Sequence, residues 1–371
     1  MIYFDNAATS GIKPRSVIDA TCRHISGLTA NPGRSGHAAS QSAAMQVFSC
    51  RRKLAKLFNA MGEESVVFTA NCTQSINFVL KGVLEPNDHI IVSDLEHNAV
   101  MRPLKSLGVA VSVAEVSLQD NETTVSNFKK QIRPNTKMIF CTAGSNVIGR
   151  KLPIESIGKL CSENGILFGV DAAQAAGVIP INMQDMNIDY LCIAAHKGLL
   201  SPMGLGVLIA NKPIKKTIIE GGTGTDSKSF EQPEELPERL ESGTINLPAI
   251  CELEAGVDYV AKNMNRIHKK EMWLCEYFYN RLMHSDKLLC YTKNYNSNDY
   301  LPVIAFNVKG KDSDSVAHFL SENGVYMRAG LHCAPMAHEK IGTFESGCLR
   351  FAPSALNTKN EVDYLFKLLN K

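Results

Sequence analysis

The 371-residue chain has no uninterrupted apolar run near the roughly 20 residues that cross a bilayer, so no membrane span is expected. Its opening, MIYFDNAATSG, lacks the basic-then-apolar pattern of a secretion signal, and the expected location is cytoplasmic. It has no large excess of either charge. Lys and Arg total 39 and Asp and Glu 37, for a net +2, which gives no basis for a nucleic-acid or acidic-surface partner. Its 11 cysteines, an odd number, include no Cys-x-x-Cys pair. That argues against a disulfide framework or a zinc ribbon, and no metal site is expected. Cys141, Cys161, Cys192, Cys251 and Cys275 lie in apolar surroundings and read as inert core residues. No internal repeat or low-complexity segment is present.

The chain is 44% hydrophobic and 20% charged, ordinary for a globular protein and long enough for more than one domain. Residues 2–10 read as an extended segment and a polar turn. Asn31-Pro32-Gly33 and Arg34-Ser35-Gly36-His37 read as a Gly-rich polar loop, and apolar spacing predicts a helix over Gln41–Phe58. Seven β-type runs follow: Ser65–Thr69, Ile90–Val92, Val109–Val113, Met138–Cys141, Ile166–Val170, Tyr190–Ala194 and Gly206–Ile209. Several are separated by helix-length segments. Runs apolar on both faces and alternating with helices predict an α/β domain with a mainly parallel seven-stranded sheet.

Gly221 to Pro237 reads as a long loop. A long helix is expected after Pro248, from apolar residues at steps of three, four and seven between Leu253 and Leu282. It leads into a smaller C-terminal α+β domain with strands at Val303–Val308, Val325–Met327 and Cys348–Phe351 and a helix at Ser313–Asn323. The final helix opens on a capping box, Thr358 and Glu361. The expected division is residues 1–20 packing on the small domain, 21–249 as the large domain and 250–371 as the small one.

The stretch from Gly169 to Gly198 organises the rest. One apolar run ends in Asp171, with Gln174 a turn later, and the next ends in His196-Lys197. Ligands of open α/β sheets collect at the carboxyl ends of the strands. An acid and a lysine there suit pyridoxal phosphate, which a lysine holds as a Schiff base while a carboxylate partners the ring nitrogen. Alternatively, Asp171 caps a helix and Lys197 lies in a surface loop. Asn71-Cys72-Thr73 stands between a strand and a helix, where free N–H groups suit a phosphate, or where Asn71 simply caps. His97 follows another strand end. It can stack on a flat ring, carry protons, or serve as a structural hydrogen-bonding residue.

Together these residues resemble the class V aminotransferase family, most of all its cysteine desulfurases and selenocysteine lyases, along nearly the whole chain. The resemblance implies fold type I of the pyridoxal phosphate enzymes. Tyr3-Phe4-Asp5-Asn6-Ala7-Ala8-Thr9 matches the opening motif, placing Ala7 on the substrate side. Glu96-His97-Asn98-Ala99 matches the segment whose histidine stacks on the cofactor. Ser145 to Gly149 matches the segment whose Asn146 meets substrate. Val170 to Gln174 matches the ring-nitrogen acid and the Gln beside the ring hydroxyl, and Ala195-His196-Lys197 the Schiff-base signature. Glu241-Ser242-Gly243-Thr244 is similar to a segment reaching a neighbour's phosphate, which implies a homodimer. Arg328 to Ala334 matches the loop with the catalytic cysteine, here Cys333, and Cys348-Leu349-Arg350 the substrate-carboxylate arginine.

Three positions depart from the family pattern. Ala194 stands where many relatives have a phosphate-binding Ser, Cys72 replaces a Thr, and Leu331 replaces the first His of a His-His-Cys loop. The short loop resembles that of the group II branch, in which sulfur passes to an acceptor protein, often with a helper. The implied activity converts L-cysteine to L-alanine with a persulfide on Cys333. In it Arg350 grips the carboxylate with Arg328 also on the substrate side, Lys197 moves the α-proton, and His332 and Arg328 favour the Cys333 thiolate. Action on L-selenocysteine, an aminotransferase or β-lyase activity on other cysteine derivatives, and a non-enzymatic sulfur-carrier role are the alternatives.

Overall fold

The computed structural model describes residues 1–33 and 35–371; Arg34, in the expected polar loop, lies outside them. The chain opens with β1 (Ile2–Tyr3), α1 (Arg15–Ile25) and α2 (Ala38–Phe58). Strands and helices then alternate through β2 (Val66–Thr69), α3 (Cys72–Val83), β3 (His89–Ser93), α4 (Asn98–Leu107), β4 (Ala110–Ala114), α5 (Asn121–Lys130), β5 (Thr136–Thr142), α6 (Ile154–Glu163) and β6 (Leu167–Asp171). β7 (Tyr190–Ala194) and β8 (Gly206–Ala210) complete this part. After it come α7 (Leu247–Met283), β9 (Leu288–Cys290), β10 (Ile304–Val308), α8 (Ser313–Glu322), β11 (Val325–Tyr326), α9 (Pro335–Ile341), β12 (Leu349–Phe351) and α10 (Lys359–Leu369).

All seven expected runs form strands of one sheet, ordered β2-β8-β7-β6-β5-β3-β4. Its inner strands are apolar throughout because helices cover both faces; every residue of β7 is buried. Neighbours pair in parallel except at β8, which is antiparallel to both β7 and β2. Residues 195–205, which join β7 to β8, are fewer than the dozen or so that a parallel crossover needs. The helix expected from Gln41 begins at Ala38 because His37 caps it: its Nδ1 accepts the Ser40 N–H at 3.2 Å. No helix among the described residues is long and apolar enough to cross a membrane.

A second, antiparallel sheet has the order β12-β10-β9. β1 pairs in parallel with β11, and Phe4 packs on Phe351, so the start of the chain lies on the second core. α7 joins the two cores without a break at residue 250. Leu253, Val257 and Val260 pack with the large sheet, and Met272, Leu274, Phe278 and Leu282 with the small one. α1 packs against α7. The Thr358–Glu361 capping box forms in both directions. Four of the five cysteines expected in the core are buried. Cys251 is the exception: it is partly exposed, with its sulfur 3.4 Å from Gln46 Oε1 and 3.5 Å from His24 Nδ1.

Candidate active site

β3, β5, β6 and β7 are parallel, and β2 shares their direction because β8 opposes both β2 and β7. Their carboxyl ends therefore open on one edge, where ligands collect. Along that edge the chain presents Cys72 and Thr73 after β2, His97 after β3, Asn146 after β5, Asp171 at the end of β6 and Lys197 after β7.

Asp171 is buried, and its Oδ1 accepts the Ala173 N–H at 2.8 Å. The Cys72 sulfur lies 3.7 Å from the same oxygen. Asp171 Oδ2 makes no hydrogen bond among the described residues. The Cys72 thiol thus faces the acid, which leaves its backbone N–H as the group it can offer a phosphate. What α3 offers a phosphate is its first turn, where the N–H groups of Cys72 and Thr73 have no intrahelical acceptor. Thr73 is exposed there, and Asn71 caps the helix through the Gln74 N–H at 2.9 Å.

Burial, followed by the charge of Arg350, holds the Lys197 amine below the ordinary lysine range, with Asp171 and Cys72 opposing. That shift favours the nucleophilic neutral amine. His196 turns toward the N-terminal segment. Its Nδ1 is 3.1 Å from Thr9 Oγ1, and its carbonyl accepts the Ser10 N–H at 3.0 Å. Burial, then Lys197, brings the His196 ring down to about 4, so it is neutral. His97 caps α4, with Nδ1 accepting the Ala99 N–H at 3.0 Å, so the neutral ring carries its proton on Nε2. Burial lowers His97 as well, with Asp171 opposing. Gln174 Nε2 donates to the Ala7 carbonyl at 3.0 Å, and both residues line a cavity with Lys197.

The other wall comes from the C-terminal part. Arg350 is buried; its Nη2 donates to Asp5 Oδ1 at 2.6 Å and its Nη1 to the Asn146 carbonyl at 3.0 Å. Its Nε is buried without a partner among the described residues. Asn146 Nδ2 donates to the His332 carbonyl at 2.7 Å, which ties the end of β5 to the cysteine loop. Cys333 is exposed, with Arg328 Nη2 at 3.7 Å from its sulfur. His332 and Cys333 are successive non-glycine residues in the left-handed region, at φ 49° and 58°, a costly arrangement that the surrounding contacts must hold.

The expected help of His332 to the Cys333 thiolate is overturned. The ring is buried against His338, and burial followed by Arg350 brings it down to about 2, so it carries no charge. Thr244 is exposed and makes no hydrogen bond to the other candidate residues among those described. Glu241, three residues earlier, is anchored by Arg51 Nη1 at 2.9 Å. Three side chains here have no sequence signal of their own. Asp5 and Glu96 lie inside motifs that were read for their neighbours. His338 gave no signal at all.

The residues fit pyridoxal phosphate: a buried acid with one oxygen free, a lysine with a lowered amine, an open helix start, and a buried guanidinium with an unpartnered N–H. The fold and this edge are those of the type I pyridoxal phosphate enzymes. The aminotransferase class-V family model matches residues 2–365, and the chain belongs to that family, in its cysteine desulfurase group. It is 31% identical over 385 residues to a probable cysteine desulfurase of Synechocystis sp., covering 100% of this chain and 90% of the relative. It is 30% identical to a cysteine desulfurase of Haloferax volcanii, covering 98% and 88%. Its structure is similar to the apo cysteine desulfurase of Thermococcus onnurineus, with a TM-score of 0.89 and 28% identity over 99% of this chain and 93% of the other.

Proposed function

We propose that this protein is a homodimeric cysteine desulfurase that converts L-cysteine to L-alanine and leaves the sulfur as a persulfide on Cys333. One observation carries this reading: the Lys197–Asp171 edge and the exposed Cys333 loop are joined directly, through Asn146 and the His332 carbonyl.

Bound pyridoxal phosphate supplies the aldehyde that carries the substrate amine and the ring that accepts electrons. Lys197 would hold the aldehyde, Asp171 would partner the ring nitrogen, His97 and Gln174 would flank the ring, and the N–H groups of Cys72 and Thr73 would take the phosphate. The exposed Thr244 of a second copy would add to the phosphate site. Arg350 binds the substrate carboxylate by a charge-assisted contact, its Nε being the donor left without a partner among the described residues. Lys197 would take the α-proton, a task its lowered amine suits. The Cys333 thiolate attacks the substrate sulfur, the attacking form being the anion. An S–S bond forms and the C–S bond breaks. Its electrons remain with carbon, which is then protonated to give alanine. The exposed persulfide passes to an acceptor protein.

The test is incubation with L-cysteine and, separately, L-selenocysteine, scoring alanine and the mass of the Cys333 peptide. Alanine with a persulfide on Cys333 supports the reading. Equal alanine from L-cysteine in a Cys333→Ser variant removes that residue, and a strong preference for L-selenocysteine moves the assignment to a selenocysteine lyase. Pyruvate in place of alanine moves it to a β-lyase.

A further inference from the structure

We propose that His332, His338 and Cys348 form a binding site for one divalent transition-metal ion of the zinc class, behind the cysteine loop. This goes beyond the desulfurase reading and does not depend on it. All three residues are buried, and one donor atom from each lies within 4.8 Å of the others. His332 Nδ1 and His338 Nε2 are 3.4 Å apart. Tetrahedral zinc, with bonds near 2.0 Å to nitrogen and 2.3 Å to sulfur, separates its donors by about 3.4–3.7 Å. The nitrogens already stand at that spacing, and the sulfur, within 4.8 Å of the other donors, has a gap of at most about 1.4 Å to close.

The outer ring nitrogens are placed as metal-bound histidines place theirs. His338 Nδ1 is 2.7 Å from Thr343 Oγ1, and His332 Nε2 is 3.4 Å from the Arg328 carbonyl. Thr343 is itself fixed, its N–H donating to the His338 carbonyl at 2.9 Å. Two imidazoles and a thiolate suit zinc or cobalt(II) and not magnesium or calcium. Burial lowers both rings, so both present lone pairs at neutral pH.

The proton count closes. The Arg328 carbonyl only accepts, so His332 keeps its proton on Nε2 and its Nδ1 is free. Without an ion, His338 donates Nε2–H to that nitrogen while the Thr343 hydroxyl donates to Nδ1. With an ion, the His338 proton sits on Nδ1 and Thr343 Oγ1 accepts it. Cys348 releases its thiol proton to solvent, one per ion bound. Burial raises that thiol to about 12, Arg350 draws it partly back, and a dication completes its ionisation. Arg350 is already paired with Asp5, which offsets the positive charge nearby. A bound ion fixes His332, and through it the left-handed backbone at Cys333.

The test is titration of the tag-free holoenzyme with Co2+, followed by the red d–d absorption of tetrahedral cobalt and by metal analysis after dialysis. One Co2+ per chain is expected, displaced by Zn2+. The bands are expected to persist in Cys333→Ser and to weaken at least about tenfold in affinity in His338→Gln and Cys348→Val. Cys348→Val keeps an apolar side chain in the buried position, and circular dichroism reports its fold. Absence of stoichiometric binding by the unmodified protein overturns the proposal. So do bands that survive both His338→Gln and Cys348→Val, or that vanish in Cys333→Ser, which assigns the ion to the exposed sulfur.

Discussion

Arg350 Nη2 donates to Asp5 Oδ1 at 2.6 Å, joining β12 to the first residues of the chain. The guanidinium is 1% exposed, so this carboxylate is its counter-charge. Replacing one partner of a buried pair leaves the other uncompensated, at about 3–5 kcal/mol. Asp5→Asn is therefore expected to lower the thermal midpoint. A substrate or product carboxylate that binds Arg350 restores the missing charge. L-Alanine is expected to raise the midpoint of Asp5→Asn by more than it raises that of the unmodified protein. An equal rise in both removes Arg350 as the carboxylate grip.

Gly256 sits in α7 where the helix passes the loop after Lys197. A Cβ there meets the Leu199 carbonyl oxygen, which is backbone and has little room to move. Overpacking of this kind costs about 1–3 kcal/mol. Because Leu199 is two residues beyond Lys197, Gly256→Ala is expected to displace the lysine as well as destabilise the fold. Thermal unfolding and the visible absorbance of bound pyridoxal phosphate report the two effects separately. A lowered midpoint with full cofactor absorbance means the loop absorbs the strain without moving Lys197.

The large sheet was legible because its strands are buried on both faces, so β7 and its neighbours read as apolar runs with turns between them. α1 was not, because Val17 is its only buried residue and the apolar stripe is thin. α9 hid behind its opening Pro335, and β9 is three residues long. Strand-end residues such as Asp171 and Lys197 could be read because chemistry and sheet edge coincide in sequence. The Asp5–Arg350 pair, 345 residues apart, is a tertiary arrangement that no local pattern encodes, and the His332–His338 contact, only six residues apart, depends on how the cysteine loop folds back on the start of α9. The turn of Cys72 toward Asp171 is tertiary too, since it depends on how the start of α3 packs over the end of β6.

Glu271 lines the cavity shared with Lys197 and Gln174. Burial raises its carboxyl from 4.5 to about 8, with the Ala355 N–H opposing. Between those values the folded chain keeps a proton that the unfolded chain has lost. Stability from this group therefore falls as pH rises through that window and levels off above about 8. Glu271→Gln removes the slope. The variant is expected to match the unmodified protein near the lower end and to exceed it by on the order of 1–3 kcal/mol above the upper end. Glu96, also raised to about 8 by burial, leaves a residual slope in both proteins. Denaturant midpoints across the range check this, and parallel curves for the two proteins count against an ionising Glu271.

Asn146 donates its amide to the His332 carbonyl at 2.7 Å, so its side chain holds the cysteine loop as the structure stands. Asn146→Ala leaves that carbonyl without its partner, at about 1–3 kcal/mol. The loss is local, because the rest of the loop is held by the Asn98 N–H on the Cys333 carbonyl at 2.7 Å and by the Cys348 N–H on the Gly330 carbonyl at 3.2 Å. Faster amide exchange is expected in residues 330–336, with little change in the large sheet. Persulfide formation on Cys333 is expected to slow by more than cofactor binding weakens, since the lysine edge keeps its own contacts. Hydrogen–deuterium exchange read by mass spectrometry, alongside the rate of persulfide formation, separates this from a purely substrate-binding role. In that case the rate falls while exchange in the loop stays as it was.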